Sequence, residues 1–151
     1  MEVRLARPSL RAASCPVALL SPQEQGERMS KSVKWRKKPA KEDYPAAQAY
    51  LCLAFNQAMA TRLVRKLRRA KVKKMPARDI LRAAHTPMAE VKAFDWASQQ
   101  RDIKKGRRFS PILLVCGAHS DGEGVVIADG FHRLCAAFAA DQDAVVLFKI
   151  A

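Results

Sequence analysis

The residues with the clearest chemical potential are consecutive: Asp129-Gly130-Phe131-His132-Arg133. They lie where an apolar run, "VVIA", gives way to the helix-like pattern "FHRLCAAFAAD". A helix start exposes unpaired backbone N–H groups and the positive end of the helix dipole. Gly130 permits a positive φ and close backbone approach. His132 and Arg133 place two donors in the first turn, and the planar fork of arginine suits a phosphate. Together these parts would form an anion pocket. Asp129 has two roles open to it. It can cap the helix by accepting a backbone N–H, or it can hold Mg²⁺ beside a phosphate. The same four residues also describe a capped helix with a surface histidine and arginine, and residue physics alone does not separate the two.

A second chemistry-bearing cluster is cationic. The chain has 28 Lys and Arg against 14 Asp and Glu, a net charge of +14. That excess points to polyanionic partners, nucleic acid first, over a basic but indifferent surface. Arg62, Arg65, Arg68, Arg69 and Lys73 form the candidate nucleic-acid surface, extended by Lys66, Lys71 and Lys74. Cations at a helix C-terminus also complement its dipole, but Lys71, Lys73 and Lys74 continue beyond what that needs. Trp35 stands among Lys34, Arg36, Lys37 and Lys38. It could stack on a base while the cations meet phosphates. The alternative is that it docks on the domain and the lysines are solvated.

The elements that must position these residues can be read along the chain. At 151 residues it is one domain, or one domain with a tail. Residues 1–28 carry Pro8, Pro16 and Pro22, no sustained period, and four arginines against three glutamates. They are expected to be a disordered extension, with Met29 the natural start. Residues 29–44 read as a basic arm. Residues 45–74 read as a long basic helix with Leu51, Phe55, Met59, Leu63 and Leu67 on a shared apolar face. Residues 75–151 follow as the main domain. Pro76 and Pro87 bracket a short helix over 77–84, with His85 just after it. "MAEVKAFDWASQQRDIKKGRR" reads as one polar helix ending near Gly106, with Phe94, Trp96 and Ile103 inward. "PILLVC", "VVIAD" and "AVVLFKI" read as strands, the first two as a hairpin or near neighbours.

The expected fold class is α+β: a small mixed sheet with helices packed on one side, preceded by the long basic helix. Cys15, Cys52, Cys116 and Cys135 make no C-x-x-C pair and read as free, mostly buried thiols of a reducing cytoplasm. Cys116 and His119 have metal-like spacing without a second ligand pair. No apolar run approaches the roughly 18–20 residues of a membrane span.

The run "RDIKKGRRFSPILLV … GVVIADGFHRLCAAFAADQDAVVLFKI" resembles the ParB/sulfiredoxin-like domain over about the last third of the chain. In that superfamily a helix ending in glycine leads to a Pro-hydrophobic strand. A second strand then enters a glycine-containing motif whose basic residues open a helix. ParB proteins commonly carry a G-E-R-R type motif there, sulfiredoxins G-G-C-H-R, and free-serine kinases D-G-H-H-R. Asp129-Gly130-Phe131-His132-Arg133 is nearest the last. The resemblance implies that Gly130, His132 and Arg133 hold nucleotide phosphates. Phe131 stands where sulfiredoxins have their nucleophilic cysteine, so that chemistry is not expected. Cys135, about one turn deeper, is no replacement. The ParB helix-turn-helix would follow this domain, and the sequence ends at Ala151, so sequence-specific centromere binding is not expected.

The leading expectation is a stand-alone ParB-like module. It would bind a nucleoside phosphate (CTP, ATP or ADP, with Mg²⁺) at Asp129, Gly130, His132 and Arg133, and DNA or RNA through its basic face. The alternative is a Mg²⁺-dependent enzyme of the same fold: a small-molecule kinase, NTPase or nuclease. Asp129 and His132 would then organise the metal, with Glu90 or Asp79 a candidate base. A third reading is a non-catalytic partner protein.

Overall fold

A computed structural model describes residues 32–93, 95–117 and 124–151. The expected extension 1–28, the start at Met29, and the roles given to Phe94 and His119 lie outside the described residues. The chain is α+β. Its described elements, in order, are β1 (Lys34–Trp35), α1 (Asp43–Ala54), α2 (Gln57–Arg69), β2 (Lys73–Pro76), α3 (Ala77–Ala83), α4 (Met88–Ala93), α5 (Ala97–Lys104), β3 (Arg108–Phe109), β4 (Ile112–Cys116), β5 (Val125–Asp129), α6 (Phe131–Ala140) and β6 (Val145–Ile150).

Four strands form the main sheet in the order β2-β6-β4-β5. β4 and β5 pair antiparallel, with Leu114 opposite Ile127. β6 runs parallel to β4, with Ile112 opposite Phe148, and β2 runs antiparallel to β6. The continuous apolar run in β4 has a simple cause: the strand is buried on both faces. Ile112 and Leu114 enter one core with Ile80 and Leu81 of α3, Val91 of α4 and Leu134 of α6. Leu113 and Val115 enter a second core with Leu51 of α1 and Val64 and Leu67 of α2. The helices of residues 77–140 therefore share one face, as expected. The preceding basic segment covers the opposite face and completes the sandwich.

Several elements differ from their expected form. The long helix over 45–74 is two helices, broken at Phe55 and Asn56. Phe55 is extended, with φ −131° and ψ 157°. Asn56 starts α2 afresh, its Oδ1 accepting the Met59 N–H at 2.8 Å. A short polar side chain that bonds the backbone locally competes with helix continuation. The shared face breaks there too: Leu51 and Leu67 are buried, whereas Met59 is exposed. Lys73 and Lys74 belong to β2, so the boundary drawn between 74 and 75 falls inside a strand. The polar helix after Pro87 is likewise two, α4 and α5. Asp95 Oδ1 accepts the Ala97 N–H at 2.9 Å where the second begins. Trp96 packs toward the first core and donates its Nε1–H to the Val91 carbonyl at 3.2 Å. Gly106, with φ 69°, ends α5 as expected, and His85, with φ 51°, follows α3.

The basic arm is also tied down. Lys34 and Trp35 pair in parallel with Arg108 and Phe109. Trp35 meets the Phe109 ring edge-on, centroids 5.7 Å apart, and packs against the first core. Its Nε1 is buried. The indole is thus engaged by the domain, which is the alternative to the base-stacking role given to Trp35. Among the described residues, no helix is long and apolar enough to cross a membrane. Of the described cysteines only Cys135 is buried; Cys52 and Cys116 are exposed.

Candidate functional site

The seam folds as the sequence demands. β5 ends at Asp129, Gly130 takes the left-handed conformation at φ 97°, and α6 begins at Phe131. Gly130 is required twice over. An added Cβ would be strained at that φ, and it would lie 3.0 Å from Arg133 Nη2 and 3.2 Å from Ile112 Cγ1. Gly130→Ala is expected to cost about 1–3 kcal/mol, read as a lowered urea midpoint with unchanged slope. An unchanged midpoint would show that the turn relaxes freely.

Arg133 turns back from the first turn of α6 and does not face outward. Its guanidinium pairs with Asp129 at the end of β5 and with Asp43 at the start of α1, the latter at 3.4 Å. All three side chains are mostly buried, at 17%, 20% and 13% exposure. Asp43 is held in turn by Ser110, whose hydroxyl donates to it. The Ala40 N–H reaches Asp43 Oδ2 at 3.0 Å and Ser110 Oγ at 2.9 Å. Burial pushes the Asp129 carboxyl above its usual range; the charge of Arg133 opposes that shift and Asp43 adds to it. The cluster thus joins α1, the β3–β4 link, β5 and α6.

This geometry bears directly on the expected phosphate pocket. One guanidinium already serves two carboxylates, and a phosphate would meet two negative groups beside it. Gly130 and the opening of α6 stand where expected, and His132 is exposed, its ring edge-on to Phe131 with centroids 6.2 Å apart. The Mg²⁺ role of Asp129 fits poorly, because the carboxylate accepts from Arg133. Among the described residues no group of three or more His, Cys, Asp and Glu could hold a metal ion. Of the candidate bases, Asp79 is paired with Arg78 and Arg82 on α3, and Glu90 is exposed on α4. Cys135 is buried in the first core, which raises its thiol to about 11, so it is no nucleophile.

The cationic face holds together far better. Arg62, Arg65, Arg68 and Arg69 are exposed on α2, and Lys73 is exposed on β2. Lys66, Lys71 and Lys74 are exposed beside them. Arg68 also lies over the Tyr44 ring, 4.5 Å from its centroid. α2 turns Ala60, Val64 and Leu67 inward, so helical period alone sends its arginines outward. A shallow, open part of this face is lined by Gln57, Ala58, Thr61, Arg62 and Arg65.

Three side chains that bond across elements, Asp43, Ser110 and Lys149, escaped the sequence reading. Neither Asp43 nor Ser110 carried a signal of its contacts. Lys149 was hidden in an apolar strand, although a single cation at an inward position of "AVVLFKI" is the kind of mark that could have found it. No family model, curated protein or solved structure matches this chain.

Proposed function

We propose that this chain is a nucleic-acid-binding module that grips phosphates through α2 and β2. One observation carries the reading. Arg62, Arg65, Lys66, Arg68, Arg69, Lys71, Lys73 and Lys74 are all exposed, and no Asp or Glu occurs from Tyr44 to Arg78. Among the described residues none of these cations has an ion-pair partner. A surface neutralised internally would show such pairs. One kept for phosphates would not, because counterion release on binding supplies its driving force.

The test is affinity against salt. Binding to a DNA or RNA oligomer should fall steeply with salt, by about 10³-fold or more between 50 and 200 mM if six or more phosphates are neutralised. Substituting Arg62, Arg65 and Arg69 together by alanine should flatten the log–log slope by about three. No binding at low salt, or a slope unmoved by the triple substitution, would sink the proposal.

A nucleoside phosphate at the seam remains implied by the ParB/sulfiredoxin-like resemblance. The order strand, left-handed glycine, helix supports that resemblance. The contacts of Arg133 do not favour the ligand, which would have to draw the guanidinium from Asp43 and Asp129. Titration with CTP, ATP and ADP, with and without Mg²⁺, measures this directly.

A further inference from the structure

We infer that the side of the molecule formed by β5 and α1 is a self-association surface, and that its occupant is a second copy of this chain. The two edges of the main sheet are built differently. β2 carries Lys73, Lys74 and Pro76, devices that discourage further strand pairing. β5 carries none before its terminal Asp129. Val125, Val126 and Ile127 are only half-buried, and among the described residues β5 ends the strand order with β4 as its sole partner in the sheet.

α1 adds a second observation on the same side. It packs on β5 through the core that Tyr44, Ala47 and Leu51 share with Val126 and Ala128. A helix buried on one face should be polar on the other, and α1 is not. Ala46, Ala49, Tyr50 and Leu53, at helical spacing, are exposed, Tyr50 at 50% and Leu53 at 84%.

Charge selects the occupant. No charged residue occurs from Tyr44 to Thr61, and no Lys or Arg from Phe109 to His132, in a chain of net charge +14. An acidic or polyanionic partner would be drawn to α2 and β2 instead. Few like charges oppose a second copy along β5 and the outer face of α1. β5 can pair antiparallel with its own copy about Ile127, setting Val125 against Asp129 of the second copy. Such a two-fold interface is self-complementary and closes. It joins two four-stranded sheets into one and leaves each cationic β2 at an outer edge. Strand spacing puts β2 about 14 Å from β5 within one sheet, beyond a screening length at physiological salt. This inference is independent of whether α2 and β2 bind nucleic acid.

The test is sedimentation equilibrium of the full chain over a wide concentration range. The expected result is reversible growth from 16.8 kDa to twice that mass. Amide exchange in Val125–Asp129 should slow as concentration rises. Leu53→Glu, at a position too exposed to endanger the fold, should weaken the dimer about tenfold or more. A chain that stays monomeric up to about millimolar concentration overturns the inference. So does a dimer whose β5 exchange is unaffected by concentration and whose affinity ignores Leu53→Glu.

Discussion

Replacing Arg133 with methionine is expected to lower the unfolding free energy by about 3 kcal/mol at neutral pH. Methionine keeps most of the apolar stem and removes the charge. Asp43 and Asp129 would then face each other, mostly buried, without the cation that separates them. Asp43 retains the Ala40 N–H and the Ser110 hydroxyl; Asp129 loses its charged partner. Removing one member of a buried ionic group is costly because the remainder stays desolvated, and the slight exposure here places the effect at the lower end of the usual range. Urea unfolding of both chains at pH 7 measures the difference. A deficit under about 1 kcal/mol, together with loss of nucleotide binding, would make the seam a phosphate pocket after all. An arginine that only awaited a ligand would leave stability unchanged when replaced; the ion pairs with Asp43 and Asp129 predict a loss instead.

Acid should rescue the variant. Protonation neutralises Asp129, whose carboxyl burial already raises, so the deficit should shrink as pH falls. Asp129 gives the parent chain a related signature. Its carboxyl is raised above 3.8 in the folded state, mainly by burial. The native chain therefore holds a proton that the unfolded chain releases first. The Asp129 contribution to stability is present below about 3.8 and is lost as pH rises through the raised value. A parent chain in which Asp129 adds no downward slope over that window, relative to Asp129→Asn, would contradict the assigned burial.

Much of the scaffold was legible because it rests on local rules. Continuous apolar runs marked β4 and β6, and proline and glycine marked the limits of α3 and α5. The turn at Gly130 followed from the abrupt change of period. The breaks were legible in principle: Asn56 and Asp95 each accept a backbone N–H in the following helix, and both are residue types that do so. An apolar count across 51–67 outweighed them. Trp35 illustrates a different failure. Its cationic neighbours suggested an arm, yet Val33 and Trp35 point toward the core while Lys34 and Arg36 are exposed. That is the period-two pattern of a strand. The real limit was distance along the chain. Asp43 meets Arg133 across 90 positions and Ser110 across 67. A single sequence shows which residues can pair, not which pairs the fold brings together, so a guanidinium that looked available for phosphate is committed elsewhere.

Lys149→Met is expected to cost about 3 kcal/mol, because this lysine is the buried fastening of the cationic helix. It is 7% exposed and has no carboxylate partner among the described residues. Its Nζ donates to the Tyr44 hydroxyl at 3.1 Å, the Leu67 carbonyl at 3.1 Å and the Arg68 carbonyl at 3.0 Å. The last carbonyls of a helix have no partner within it and carry the negative end of its dipole. α2 ends at Arg69, so a cation from β6 satisfies both needs at once. Methionine fills similar space and leaves those carbonyls and the tyrosine hydroxyl without a donor. Arginine should not restore stability, since a planar fork differs in shape from an ammonium with three donors. Tyr44→Phe should cost less in the Lys149→Met chain than in the parent, because the two share a bond. Full additivity, or a loss near zero, would show that water replaces the ammonium. The consequence reaches the proposed function. Leu67 and Arg68 lie in the same turn as Arg69, and β2 pairs with the strand that carries Lys149. One buried cation thus sets the spacing of the exposed ones, and its loss should weaken nucleic-acid binding even though it touches no phosphate.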